Sequence, residues 1–213
     1  MDISQYMALA LQLLHRAFPG RLVCLGLQGS WGRGEATAAS DIDLVVILDK
    51  VGLEDILTYR RQLDQLPERD KSCGFFSGKE ELMTWDKGEL FQFYHDTRPY
   101  FGTLNFLRPL LSRQAVVRAV HTGACGVYHA CVHNLVHTQS EEALRGIYKS
   151  VFFILQAKCW LETGVYYSSR QTLEGHLGTL DRAVLTAPEQ GSLEERSQLL
   201  LSWSSRIIRS GWT

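Results

Sequence analysis

Gly29-Ser30-Trp31-Gly32-Arg33-Gly34-Glu35-Ala36-Thr37-Ala38-Ala39-Ser40-Asp41-Ile42-Asp43-Leu44-Val45-Val46 is the stretch on which the reading of this chain turns. An apolar run of strand length, Leu22 to Leu27, precedes it. A second run, Ile42 to Leu48, is rich in Val and Ile and reads as a buried strand. Gly29-Ser30 therefore ends one strand and opens a helix, where a glycine lets the backbone approach a phosphate closely. Asp41 and Asp43 are expected two apart on the next strand, which Asp-Ile-Asp opens. The strand period of two turns both carboxylates to one face. Two carboxylates on one face form a hard-oxygen site suited to Mg²⁺. A metal shared with a triphosphate would neutralise charge and align the reacting phosphoryl group. Gly-Ser turns and Asp-x-Asp strand edges are each common alone. Their joint occurrence, one after a strand and the other before the next, is what carries the signal.

Working outward, Ile3, Tyr6, Met7, Leu9, Leu11, Leu13 and Leu14 give residues 3–17 a helical spacing that ends before Pro19-Gly20. Leu53 to Leu66 is helical and stops at Pro67. Cys73 to Phe76 is a third strand, and Glu80 to Trp85 a short helix. Glu89 to Tyr94 fits a strand or a helix. From about residue 110 only helical patterns remain, over roughly 112–137, 141–163, 170–186 and 193–209. Ser140, ahead of Glu141-Glu142, is a helix start. Domains are expected at 1–108 and 109–213.

The 213 residues suffice for one large domain or two small ones, and 45% of them are hydrophobic, enough for a core. The formal net charge of −1 disfavours a general nucleic-acid binder, though not a nucleotide substrate held at a local site. No apolar run reaches the length of a membrane span. The N-terminus lacks the basic region of a signal peptide. Five cysteines, an odd and scattered set without CxxC, suit a reducing cytoplasm.

The quoted stretch resembles the nucleotidyltransferase superfamily, which includes the aminoglycoside and the minimal nucleotidyltransferases. The family pattern is Gly-Ser, a short segment often with Arg-Gly, then Ser-Asp-x-Asp-Leu. Gly29, Ser30, Arg33, Gly34, Ser40, Asp41, Asp43 and Leu44 supply it, within about residues 20–50. Tyr148 to Phe153 through Thr163 to Tyr167 resembles the helical bundle that often follows the domain. The resemblance implies an α/β (α+β) nucleotidyltransferase domain with a small mixed sheet, followed by an all-α helical bundle. It implies that Asp41 and Asp43 ligate Mg²⁺ and are catalytic. Gly29 and Ser30 would hold the β- and γ-phosphates of an NTP such as ATP, with Arg33 and Ser40 on the nucleotide side. An acceptor hydroxyl would attack the α-phosphorus and pyrophosphate would leave. The chain departs from the pattern in one respect. Many members carry a third carboxylate on the next core strand, and Cys73-Gly74-Phe75-Phe76 has none. Asp70, Glu80, Asp86, Glu89 and Asp96 are near in sequence, and Asp96 is the one of most interest.

His121, Cys125, His129, His133 and His137 recur every four residues, a metal-ligand spacing on a helix. Such steps drift by about 40° each, so all five cannot share one ion. Pairs such as His129 and His133 would, but an exposed helix face is the default. Trp85, Trp160, Trp203 and Trp212 read as packing residues, and Lys149 and Lys158 as exposed helix lysines or the lining of an acceptor cleft. Leu199, Leu200, Trp203, Ile207 and Ile208 form either core or a homodimer surface. The expected partners are an NTP and a small hydroxylated acceptor. The alternatives are transfer to a protein or RNA partner, as in antitoxin-type enzymes, and a non-catalytic nucleotide-binding protein.

Overall fold

The structure, a computed structural model, describes residues 2–187 and 191–210. The chain divides into two compact units, Met1–Leu110 and Leu111–Thr213. Each has its own core.

In the first unit, α1 (Ile3–Ala17) begins where the Asp2 carboxylate accepts the backbone N–H groups of Ser4 and Gln5. Tyr6, Met7, Ala10, Leu13 and Leu14 fall on one stripe and are buried. They pack on one face of a four-stranded sheet ordered β3-β2-β1-β4. β1 (Leu22–Leu27) is antiparallel to β2 (Ile42–Leu48), and β2 is parallel to β3 (Ser72–Gly78) across the helical connection α3 (Leu53–Leu63). Alternation sorts β2 cleanly. Ile42, Leu44, Val46 and Leu48 join the α1 core, where Phe76 of β3 stacks on Tyr59 of α3 at 4.3 Å between ring centroids. Asp43, Val45 and Ile47 point to the other face. That face is covered in part by α4 (Lys79–Thr84) and α5 (Lys87–Asp96), with Phe75 against Phe93 and Trp85. Because both faces are buried, β2 is a continuous apolar run broken only at Asp43.

The segment 89–94, ambiguous by pattern, is helix. Asp86 caps α5 by accepting from Gly88 N–H and Glu89 N–H. The edge strand β4 (Arg98–Gly102) is a strand that the pattern does not reveal. It is mostly exposed and carries Pro99, which a sheet tolerates only at an edge.

The second unit is helical. α6 (Arg113–His133) runs into a π turn, Asn134–Thr138. Ser140 caps α7 (Glu141–Thr163), which stops at Gly164 in the left-handed conformation. The pattern over 170–186 is two helices, α8 (Arg170–Glu174) and α9 (Thr179–Thr186), parted by the Gly175–Gly178 turn. α10 (Leu193–Arg209) starts with a Ser192–Glu195 capping box. Its stripe of Leu200, Trp203 and Ile207 is buried within its own unit, so the stripe is core. Trp212 lies outside the described residues. Among the described residues no helix is long and apolar enough to cross a membrane.

Candidate active site

Five chain segments meet at one end of the sheet. β1 ends there at Leu27, and α2 (Gly29–Arg33) follows at once. β2 begins there, since Leu27 pairs with Leu44 and Gln28 N–H donates to the Asp43 carbonyl at 2.9 Å. α5 ends there at Asp96, and β4 starts there, with Arg98 opposite Leu27. The Gln28 side chain ties these ends together by donating to Thr97 Oγ1 at 2.8 Å.

Gly29 opens α2 with φ +61°, a left-handed conformation that costs a side-chain-bearing residue about 1–2 kcal/mol. A second constraint acts on the same residue. A Cβ at position 29 would collide with Oδ2 of Asp43. The carboxylate thus lies directly against the backbone of the Gly-Ser turn, and this contact brings the two halves of the sequence motif into one site. Gly32 is equally confined: a Cβ there would come within 2.8 Å of the Leu27 carbonyl.

Asp43 is half-buried, whereas Asp41 precedes the strand and is exposed. The expectation that both stand on the strand holds only for Asp43. Burial raises the Asp43 pKa. The negative charge of Asp41 raises it further, the Arg33 guanidinium opposes the rise, and Asp96 adds to it. These groups therefore share one electrostatic neighbourhood. Arg33 Nη1 donates to both oxygens of Asp96 at 3.3 Å, and its Nε donates to Glu35 Oε2 at 3.1 Å. The Arg33 and Asp96 side chains retain 14% and 9% of their exposure, so the pair is largely withdrawn from water. Ser40 accepts from Thr37 N–H at 2.9 Å and shapes the loop leading to Asp41.

The third acid at this sheet end is therefore Asp96, delivered by the end of α5. β3 supplies none there, since the residue opposite Asp43 is Cys73. Asp70, Glu80, Asp86 and Glu89 do not appear among the groups acting on Asp43.

Residues 14–98 match the family model of the nucleotidyltransferase domain. They are a nucleotidyltransferase domain. The matched range holds β1, β2, β3 and every acidic residue of the site. No curated protein matches the sequence. Among solved structures, the fold resembles spectinomycin adenyltransferase AAD(9) from Enterococcus faecialis, solved with ATP and spectinomycin. The TM-score is 0.59 at 10% identity, over 97% of this chain and 99% of that one. At that identity the likeness is one of fold. It spans the nucleotidyltransferase domain and the helical unit that follows.

Among the described residues no three His, Cys, Asp or Glu side chains converge closely enough to hold a metal ion by themselves. The five-residue His/Cys series is thus not a three-ligand site. Lys158, read from the sequence as an exposed or cleft-lining lysine, is largely buried and lines a pocket within the helical unit, with Asp181 Oδ2 and Glu162 Oε1 each at 2.6 Å.

Proposed function

We propose that this protein transfers a nucleoside monophosphate from an NTP, ATP in the first instance, to a hydroxyl of a small-molecule acceptor, releasing pyrophosphate. The observation that carries the proposal is the contact of the Asp43 carboxylate with the Gly29 backbone, with Asp41 and Asp96 acting on the same carboxylate. We assign the chemistry to residues 1–108, followed by a helical domain over 109–213.

The donor set suits Mg²⁺. Hard carboxylate oxygens are its preferred ligands, and the ion commonly takes one or two from protein and the rest from substrate phosphates and water. A site without a closed cage of three protein ligands fits that habit. Asp41 and Asp96 act on Asp43 against the charge of Arg33, and Arg33 also pairs with Glu35, so within this group carboxylates outnumber the guanidinium. A polyphosphate would be repelled from such a cluster without a divalent cation. Asp41 and Asp43 would hold the ion, which when bound neutralises charge on the phosphates and polarises them.

The chain's own residues then have separable parts. The Gly29-Ser30 turn lets backbone N–H groups and the Ser30 hydroxyl reach β- and γ-phosphate oxygens. Arg33 sets a positive charge against Asp43 and Asp96, and Ser40 fixes the approach of Asp41. The acceptor oxygen bonds to the α-phosphorus as the bond to pyrophosphate breaks and the hydroxyl proton is released. Positioning and charge stabilisation supply most of the acceleration. A small-molecule acceptor is favoured over a protein or RNA because the structurally similar AAD(9) was solved with ATP and spectinomycin, and its fold match includes the helical unit. Five free cysteines, three of them buried, agree with residence in the cytoplasm.

Calorimetric titration of ATP and the other NTPs with Mg²⁺ tests this reading, on wild type and on Asp41→Asn/Asp43→Asn. Metal-dependent binding lost in the double variant is expected. A screen of hydroxylated acceptors with pyrophosphate release as readout would follow. Binding that survives the double variant refutes the assigned residues, and no binding by wild type refutes the enzyme.

A further inference from the structure

In the second unit, His129, His133 and His137 follow one another along the end of α6 and the π turn after it. In a regular α-helix, side chains four residues apart drift by about 40° around the axis, so successive histidines diverge. His129 and His133 obey this, with ring centroids 6.4 Å apart. His133 and His137 do not, at 4.9 Å. The difference arises in the π turn Asn134–Thr138, where Gln139 N–H reaches back to the Asn134 carbonyl. A π turn holds more residues per turn than an α-helix, so each step winds less and the drift is withdrawn. Buried Asn134 locks this turn. Its Oδ1 accepts from Ser140 N–H at 3.0 Å and from Thr138 Oγ1 at 2.9 Å, and its Nδ2 donates to the Ser140 carbonyl at 3.1 Å.

We propose that His133 and His137, brought together by the π turn, are a two-imidazole site for a divalent transition-metal ion such as Zn²⁺ or Ni²⁺. A metal–nitrogen bond of about 2.1 Å places the ion about 3.2 Å from an imidazole centroid. Two such arms meeting at about 100° set the centroids about 4.9 Å apart, the spacing of His133 and His137. At the 6.4 Å between His129 and His133 the two arms would have to be nearly collinear, so in these rotamers that pair is not set for one ion. Both imidazoles of the close pair are exposed, so the ion enters without displacing the core, and water fills its other positions. Imidazole suits Zn²⁺, Ni²⁺ and Cu²⁺, whereas Mg²⁺ prefers the carboxylates of the other unit, so the two sites select different ions.

The test is calorimetric titration of Zn²⁺, and separately Ni²⁺, into the untagged full-length chain. An Asp41→Asn/Asp43→Asn background keeps the acidic cluster from competing. About one equivalent should bind, and His133→Ala or His137→Ala should each weaken it by about tenfold or more. His129→Ala should leave it unchanged. Asn134→Ala, which frees the π turn while keeping every imidazole, should weaken binding too. Circular dichroism of each variant reports that the helices persist. The proposal is overturned if His129→Ala weakens binding as much as His137→Ala, or if binding survives both His133→Ala and His137→Ala. It stands or falls independently of the transfer reaction.

Discussion

Burial raises the pKa of the Asp43 carboxyl, and Asp41 and Asp96 raise it further against the opposing charge of Arg33. A carboxyl whose folded pKa exceeds its unfolded value favours the folded state fully below the unfolded value, about 3.9 for Asp. That contribution is lost as pH rises through the folded value. At neutral pH the ionised Asp43 therefore costs stability, as a site residue kept for chemistry often does. The near-isosteric Asp43→Asn should raise the melting temperature in metal-free buffer near neutral pH. The gain should shrink as pH falls toward about 4. The same change should lower Mg²⁺-dependent nucleotidyl transfer by about 10²-fold or more, since it removes a carboxylate that would hold the ion. Thermal melts across pH, paired with one activity assay, check both halves. A lower melting temperature for the variant at neutral pH would contradict the electrostatic account. Gly29 and Asp43 were legible in the sequence because a tight turn and a strand period are local properties. The nearness of Asp96 to Asp43 was not. It depends on α5 returning along the sheet to end beside β1, and no spacing in the sequence encodes that return.

Among the elements, legibility followed burial. β2 could be read because both its faces are buried, and α1 because its stripe is. β4 could not, because an exposed edge strand with a proline carries neither an apolar run nor an alternation. The division of 170–186 turns on a glycine-bounded corner that helical periodicity passes over. The burial of Lys158 is hidden from the sequence for a related reason. A lysine on a helix is by default solvated, and only tertiary structure brings Asp181 of α9 to its ammonium, beside Glu162 one turn further along its own helix. Asp181 accepts from Trp203 Nε1 of α10 at 2.8 Å as well, so one carboxylate joins α7, α9 and α10. Asp181→Ala should cost the helical unit about 1–3 kcal/mol, because it leaves the indole N–H of Trp203 without its acceptor and the largely buried ammonium with Glu162 in place of two carboxylates. Asp181→Asn, which still offers an oxygen to Trp203, should cost less. Denaturant unfolding followed by Trp fluorescence measures both, and equal losses would show that the Trp203 hydrogen bond contributes nothing beyond the charge.

For the molecule as a whole, a net charge of −1 over 213 residues supplies little long-range attraction for an anionic substrate. Recognition of a nucleotide must then come from the local cluster, and that cluster is itself negative. For the proposed transfer, the two facts together would make the cation a condition of binding rather than an aid to catalysis alone. A ligand that binds only the folded state stabilises it by RT ln(1 + [L]/Kd), about 2.7 kcal/mol at a hundredfold excess over Kd. ATP with Mg²⁺ should therefore raise the melting temperature. ATP with EDTA should not, and Mg²⁺ alone should give a smaller rise by relieving repulsion among Asp41, Asp43 and Asp96. Differential scanning fluorimetry distinguishes the three conditions. A full shift with ATP in EDTA would mean that Arg33 and the Gly29-Ser30 turn suffice to hold the phosphates. The carboxylates would then have to be assigned to the acceptor instead.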